Sequence, residues 1–185
     1  KYNAPFSLSK KICLEINTIY IYRRMNTDFL HSDLKGTIRL TIGPMSSGKT
    51  DTLIRTMNEL SILQRVPLLI VRPETDTRSP DGMVASASGF KAPCIIVAPN
   101  GLTPTLAKTN KYLKNAQVLL IDEAQFFDKC LISFCTFWTD VLKKCVYVYG
   151  LNGDAQRRPF GFIHELIPHA DSIDLLSGFC VTCKT

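Results

Sequence analysis

Short apolar runs recur along most of the chain, and polar or amphipathic stretches separate them. Their length and their content of Val, Ile and Leu are typical of strands buried in a sheet. The run at residues 118–121 is apolar throughout, a pattern found in the central strands of parallel sheets. Strands are therefore predicted at residues 37–42, 67–71, 94–97, 118–121, 145–149 and 172–176.

Several of the stretches between these runs have apolar residues three and four positions apart, the spacing of one helix face. This spacing predicts helices at residues 50–63, 104–114 and 126–142, with a short helical segment at residues 162–167. Residues 72–93 and 152–159 are polar and lack a period, which predicts two loops. Alternating strands and helices predict an α/β fold in which a parallel sheet is covered on both faces.

The chain length limits the possible organisation. With 185 residues and 45% hydrophobic residues, the chain can form one domain with a core, or one domain plus an appendage. This composition excludes wholesale disorder, and the length excludes a multidomain motor such as a helicase. The longest apolar runs have the length of strands, far below the roughly 20 residues of a membrane span. We therefore expect a soluble protein with no membrane partner.

The net charge of +6 is distributed unevenly. Residues 1–24 hold five basic residues and one acidic residue, and the remainder is nearly balanced, with 17 basic and 15 acidic residues. The first methionine is Met25, and the apolar stretch at residues 12–22 is too polar for a signal-peptide core. We interpret residues 1–36 as an N-terminal extension outside the native fold, or as translated upstream sequence. Because the basic surplus lies there, no nucleic-acid partner is predicted.

The seven cysteines cannot all pair within one chain. Five lie singly in apolar surroundings, where buried reduced thiols are expected. Cys180 and Cys183 form the one C-x-x-C pair. Unpaired thiols without a secretory signal predict a reducing, cytoplasmic location.

Residues 43–50 fit the pattern G-x-x-x-x-G-K-[ST] and lie between a predicted strand and a predicted helix. We call this segment the P-loop. Glycines let its backbone bend sharply beside phosphate, and the N–H groups at the helix start bind phosphate oxygens. In such a loop Lys49 reaches the β- and γ-phosphates of ATP, and the hydroxyl of Thr50 binds Mg²⁺. An ordinary glycine-rich turn is the alternative. The predicted nucleotide-binding residues are Gly43, Pro44, Met45, Ser46, Ser47, Gly48, Lys49 and Thr50.

Two adjacent acids, Asp122 and Glu123, end the apolar run at residues 118–121. A P-loop requires a carboxylate at the end of a neighbouring strand, and Asp122 would orient the water ligands of Mg²⁺. Glu123 would point away from Asp122 by the period of two and deprotonate the group that attacks the γ-phosphate. Residues 122–125 suit a kinase or a P-loop ATPase equally well. A solvated strand end remains the structural alternative.

Three ordered motifs resemble those of the type II thymidine kinases, the cellular cytosolic and poxvirus kind. They are residues 43–45 in the P-loop, residues 121–127, and residues 150–153 leading to residues 156–161. The resemblance covers residues 38–183. It implies ATP-dependent phosphorylation of the 5′-hydroxyl of thymidine or deoxyuridine with Mg²⁺. It also implies a P-loop NTPase-type domain joined to a small zinc-binding lasso domain, and assembly into a homotetramer.

The resemblance also implies roles for individual residues. Lys49, Thr50 and Asp122 match the residues that bind the nucleotide phosphates and magnesium. Glu123 matches the general base, and Arg78, in the string Asp-Thr-Arg, matches a cation that counters charge on the transferring phosphoryl group. Gln125 is assigned to the cofactor-binding set with Asp122. The residues that match the thymine pocket are Met45, Phe126, Leu151 and Phe160.

The chain departs from the family pattern in three places. Asp154 and Ala155 replace the usual Thr-Phe, and residues 86–89 replace a His-Asp pair. Cys180 and Cys183 match the first half of a four-cysteine zinc site, but the sequence ends at Thr185. We therefore interpret residues 37–178 as the P-loop kinase domain and residues 179–185 as the beginning of a truncated zinc domain. A redox or buried cysteine pair and an inactive kinase fragment remain alternatives.

Overall fold

The computed structural model describes residues 36–63, 66–79 and 82–178. The predicted extension, apart from Gly36, lies outside the described residues, and so do Cys180 and Cys183. No helix in the described part of the chain is long and apolar enough to cross a membrane.

A six-stranded sheet in the order β5-β2-β6-β7-β1-β8 forms the centre of the fold. Every strand pair in it is parallel, which confirms the predicted α/β fold with a parallel sheet. Its strands are β1 (Ile38–Gly43), β2 (Leu68–Pro73), β5 (Ile95–Val97), β6 (Val118–Ile121), β7 (Cys145–Leu151) and β8 (Ser172–Leu175). All six of the predicted strands are thus present, with bounds that differ from the predicted ones by at most two residues.

The helices are short, and two of them continue into a π-helical turn. The α-helices are α1 (Lys49–Asn58), α2 (Pro104–Thr109), α3 (Lys111–Asn115) and α4 (Cys130–Thr136). The π-helical segments that extend α1 and α4 are Glu59–Leu63 and Phe137–Val141. Two further segments, Ala124–Phe126 and Ile163–His169, are 3₁₀-helical.

Alternate residues of the central strands face opposite sides of the sheet and form two separate cores. Leu69 and Leu119 pack in one core with residues of α2, α3, α4 and the Ile163–His169 segment. Leu68 and Leu120 pack in the other with Leu53 and its neighbours on α1. Because both faces of these strands are buried, residues 68–71 and 118–121 are apolar at successive positions and do not alternate.

The predicted helix at residues 104–114 is wrong as a single helix. It is divided at Asn110, whose backbone is extended (φ −73°, ψ 120°). The Asn110 side chain accepts hydrogen bonds from the N–H groups of Tyr112 (2.9 Å) and Leu113 (3.2 Å), and so caps α3. Asn is a strong N-cap residue, and here its cap competes successfully with helix continuation.

The predicted helix at residues 126–142 also starts too early, because α4 begins at Cys130. Phe127 is buried with an extended backbone (φ −83°, ψ 148°). The next residue, Asp128, donates its N–H to the carbonyl of Pro99 at 3.0 Å. This tertiary hydrogen bond takes the place of a helical one.

The predicted loop at residues 72–93 contains an antiparallel hairpin of β3 (Met83–Ala85) and β4 (Lys91–Pro93). Three residues are too few to show a period of two, which explains why the pattern missed both strands. The N–H of Ser86 donates to the carbonyl of Phe90 at 2.9 Å and closes the turn. Residues 152–159 are a loop, as predicted.

Candidate active site

The P-loop joins β1 to α1 with its backbone in an unusual conformation. Gly48 has φ 79°, in the left-handed region that favours glycine. At Gly43 the constraint is close approach: an added Cβ would lie 2.7 Å from Ser47 Oγ and 2.8 Å from the carbonyl oxygen of Leu176. Backbone conformation at Gly48 and close packing at Gly43 therefore explain why the motif has glycine at these two positions.

Lys49 is buried at the first position of α1, and its ammonium lies within the P-loop. Its Nζ donates to the carbonyls of Pro44 (2.6 Å) and Gly43 (3.2 Å) and to Ser47 Oγ (3.3 Å). Burial lowers the pKa of Lys49, while the charges of Glu123 and Asp122 oppose this shift. The sequence motif thus places a cation next to two acids.

Asp122 follows β6 and is buried beside Thr50. Its Oδ2 accepts a hydrogen bond from Thr50 Oγ1 at 3.4 Å, and its Oδ1 accepts one from the N–H of Glu123 at 3.0 Å. The prediction that this carboxylate follows the strand next to β1 is wrong in detail, because β7 lies between β1 and β6. Burial, and then the charge of Glu123, raise the pKa of Asp122 to about 7.

Glu123 adopts the left-handed conformation (φ 50°, ψ 42°) immediately after β6. The period of two therefore does not determine where it points, contrary to the sequence argument. Its Oε2 accepts a hydrogen bond from Gln125 Nε2 at 2.5 Å, and its Oε1 pairs with Arg78 Nη2. The backbone turn and these two partners fix the position of a largely buried carboxylate.

Arg78 reaches the acids from the loop after β2. Its Nε donates to Asp76 Oδ1 at 2.8 Å, and its Nη2 pairs with Glu123. Burial opposes its charge, but the Asp76 hydrogen bond and the charge of Glu123 outweigh burial and raise the pKa of Arg78. The side chain remains 57% exposed, so a cation at this position is accessible from outside.

Sequence reasoning assigned no role to Asp76 or Arg72, although both are buried in this network. Arg72 Nη1 lies 3.8 Å from Asp76 Oδ2 and also donates to the backbone carbonyl of Asp76. The available signals were the Asp-Thr-Arg string for Asp76 and, for Arg72, a charged residue within an apolar strand.

Gln125, assigned to the cofactor-binding set, connects two parts of the site. It is 2% exposed, and its Nε2 donates to Glu123 while its Oε1 accepts from the N–H of Leu151 at 2.9 Å. The amide thus joins the proposed base to the end of β7. An added Cβ at Gly150 would lie 2.7 Å from Gln125 Oε1, so a small residue is needed there.

Two of the four residues predicted for the thymine pocket are in contact. The rings of Phe126 and Phe160 pack edge to face, with their centroids 5.5 Å apart and an interplanar angle of 81°. Leu151 lies at the end of β7, tied to Gln125. Met45 is 68% exposed on the P-loop.

The departure at Asp154 has a structural role within the loop after β7. Asp154 Oδ1 accepts hydrogen bonds from the N–H groups of Gln156 (2.8 Å) and Arg158 (2.9 Å). Its Oδ2 pairs with Arg158 Nη2 at 2.9 Å. These hydrogen bonds lower the pKa of Asp154. The carboxylate therefore holds a turn in place immediately before Phe160.

Within the described residues, no group of three or more His, Cys, Asp or Glu side chains could hold a metal ion. The described cysteines, Cys94, Cys130, Cys135 and Cys145, are free thiols. The predicted zinc ligands lie outside the described residues, so their assignment stays a prediction.

Comparisons with known proteins agree with the resemblance. A family model described as thymidine kinase matches residues 36–185. The thymidine kinase of Rabbit fibroma virus (strain Kasza) is 36% identical over 149 residues, which are 80% of this chain and 78% of the relative. Thymidine kinase a of Arabidopsis thaliana is 37% identical over 161 residues, 84% of this chain and 66% of the relative. A thymidine kinase of Mesomycoplasma hyopneumoniae (strain 7448) is 32% identical over 149 residues, 80% of this chain and 78% of the relative. The chain belongs to the thymidine kinase family.

Proposed function

We propose that the protein transfers the γ-phosphoryl group of ATP to the 5′-hydroxyl of thymidine or deoxyuridine, with Glu123 as the general base. The observation that carries this proposal is the position of the Glu123 carboxylate. It is largely buried, it follows the carboxylate that binds Thr50, and it pairs with Arg78. A base for the attacking hydroxyl and a cation for the phosphoryl oxygens are what this transfer requires.

The P-loop and α1 would bind the phosphates of ATP. Backbone N–H groups at the start of α1 present partial positive charge, and Lys49 adds a full charge at the same point. The Lys49 donors that now bind the loop carbonyls and Ser47 are at the position where phosphate oxygens would accept them.

Asp122 and Thr50 fit a magnesium site. Both side chains offer hard oxygen ligands, and their oxygens lie 3.4 Å apart. Burial and the charge of Glu123 raise the pKa of Asp122, so a cation bound here would stabilise its carboxylate form. When bound, Mg²⁺ would supply this positive charge and offset the negative charge of the phosphates. Asp122 and Thr50 would hold the ion or its water ligands.

Glu123 and Arg78 would act at the transfer itself. Glu123 would accept the proton of the 5′-hydroxyl through a carboxylate oxygen, and the Gln125 amide would keep that carboxylate in place. Arg78 would turn its exposed guanidinium toward the phosphoryl oxygens, where negative charge spreads as the bond to ADP breaks.

The base of the nucleoside would lie against the Phe126 and Phe160 rings, with Leu151 and Met45 adding apolar surface. Flat apolar side chains are suited to a planar pyrimidine. The exposed position of Met45 is compatible with a residue that folds onto a bound ligand.

Three further parts of the proposal rest on the family resemblance. Cys180 and Cys183 would supply two ligands to a structural Zn²⁺, and the protein would form a homotetramer. It would act in the cytoplasm, which agrees with the four free thiols. Metal analysis and light scattering of the purified protein test the first two.

The replacement Glu123→Gln tests the mechanism, because it keeps the size and shape of the side chain while removing the carboxylate that accepts the proton. We expect thymidine monophosphate formation to fall by about 10²–10⁴-fold, with ATP affinity within about twofold of wild type. Glu59→Gln, at an exposed position after α1, is the matched control and should retain full activity. Full turnover in Glu123→Gln would remove Glu123 as the base.

A further inference from the structure

Arg72 is a charged residue inside a strand that is otherwise apolar. It lies in β2, whose six residues are all buried, and is itself 2% exposed. A buried cation costs free energy unless its partners compensate it, and apolar residues of similar size often stabilise a protein equally well. Fold stability alone therefore does not explain an arginine at this position.

The partners of Arg72 lie in the segment that carries Arg78. Nη1 donates to the carbonyl of Asp76 and Nη2 to the carbonyl of Ser79, at 3.3 Å for the latter. These two carbonyls are on either side of residues 77–78. The planar guanidinium thus binds the backbone on both sides of Arg78. Because its donors have a fixed geometry, it also fixes the distance between the two carbonyls.

A continuous series of contacts leads from Arg72 to the proposed base. Arg72 Nη1 lies 3.8 Å from Asp76 Oδ2, and Asp76 Oδ1 accepts from Arg78 Nε at 2.8 Å. Arg78 then pairs with Glu123 through Nη2. Asp76, 5% exposed, is shared by both guanidinium groups and links them.

We infer that Arg72 is a positioning residue for phosphoryl transfer: it holds the 76–79 segment so that Arg78 faces Glu123. This inference rests on the proposed function, in which Arg78 acts on the phosphoryl group. Arg72 contacts neither reacting group itself, and its whole effect on turnover passes through Arg78.

The test is a double-mutant cycle of Arg72→Lys and Arg78→Ala, with kcat and KM measured for ATP and for thymidine. Lysine keeps the charge but cannot span two carbonyls in a fixed plane. We expect Arg72→Lys to lower kcat by at least about tenfold, with both KM values within about twofold of wild type. In the Arg78→Ala background, Arg72→Lys should change kcat by less than about twofold.

Two controls separate positioning from a general loss of structure. Arg55→Lys, at an exposed position on α1, makes the same chemical change and should leave kcat and KM unaltered. Thermal unfolding of each variant gives its folded fraction. A structural role for Arg72 would reduce activity by the same factor in both backgrounds, and that result would overturn the inference, as would unaltered kcat in Arg72→Lys.

If Arg72→Lys does not fold, Asp76→Asn takes its place in the cycle, because it weakens the link between the two guanidinium groups and keeps the backbone carbonyl. Equal losses in both backgrounds would again contradict the inference. If the wild-type protein makes no thymidine monophosphate, the proposed function fails. The cycle is then run on phosphate release from ATP, where the same non-additivity would support the positioning role.

Discussion

Lys49 in the P-loop and Arg78 in the segment at residues 72–79 both place a positive charge near Glu123, but different forces hold the two cations. Lys49 is 8% exposed and, among the described residues, donates to groups of its own loop, at most six residues away. Arg78 is 57% exposed and is held by Asp76 and Glu123, the latter 45 residues away. Local backbone geometry determines the first position, and a series of buried charges determines the second.

This difference leads to different expectations for mutation. A cation within a rigid loop has no substitute, so its removal should abolish turnover. A cation held by a series of contacts should become less accurately positioned each time one contact is removed, so each such mutation should lower kcat only in part.

The largest effect is expected for Lys49→Met, which keeps the length of the side chain and removes its charge. Thymidine monophosphate formation should fall by about 10³-fold or more, because the developing charge on the phosphoryl oxygens loses its buried cation. The measurement is a steady-state assay with ATP and thymidine in excess. Lys114→Met, at an exposed position of α3, is the control. A loss below about tenfold in Lys49→Met would show that the P-loop does not hold the phosphates as described.

A smaller effect, on stability, is expected for Asp122→Asn. The folded pKa of Asp122 is about 7, above the value of about 3.9 for an unfolded aspartate. Between about pH 4 and pH 7, the folded protein therefore holds a proton that the unfolded chain releases. The stabilisation from this proton is fully present below about pH 4 and is lost as the pH rises through about 7. Asparagine does not ionise, so the variant should be more stable than wild type at pH 8 by roughly 1–3 kcal/mol.

Urea unfolding at pH 5 and pH 8 in the presence of EDTA measures this difference. The advantage of Asp122→Asn should be much smaller at pH 5, and the variant should be inactive at both pH values. The exposed Asp128→Asn provides the control. If Asp122→Asn were less stable than wild type at both pH values, Asp122 would not carry the uncompensated charge that we assign to a magnesium site.

The smallest effect is expected for Gln125→Leu. It removes the donor to Glu123 and the acceptor for the N–H of Leu151, while the side chain remains of similar size. Loss of one hydrogen bond to a charged group corresponds to about tenfold in kcat. A kcat equal to that of wild type would show that the backbone turn at Glu123 is sufficient to hold the carboxylate.

The same contrast explains what the sequence could predict. The P-loop and the strand before it occupy one short continuous stretch whose spacing carries the geometry. Gly48 and Thr50 are found in the predicted places because glycine conformation and helix start are local properties. The parallel sheet follows from the alternation of elements along the chain.

The features that pattern reasoning missed depend on contacts between distant residues. The carbonyl of Pro99 replaces a helical partner near residue 128, so α4 starts later than its period predicts. The placing of Asp122 two strands away from β1 depends on sheet order, which single-strand patterns do not contain. The role of Gln125 depends on Leu151, which lies 26 residues further along the chain. Arg72 is visible in the sequence as a charge within an apolar strand, but its role depends on the path of the loop that carries Asp76 and Ser79.

In the proposed function, this site transfers the phosphoryl group to a nucleoside hydroxyl and not to water. A single-turnover reaction with limiting ATP, Mg²⁺ and excess thymidine tests it directly, with thymidine monophosphate, ADP and free phosphate separated by chromatography. We expect equal amounts of thymidine monophosphate and ADP, with little free phosphate. Release of ADP and phosphate at the same rate with and without thymidine would contradict it and would indicate a P-loop ATPase.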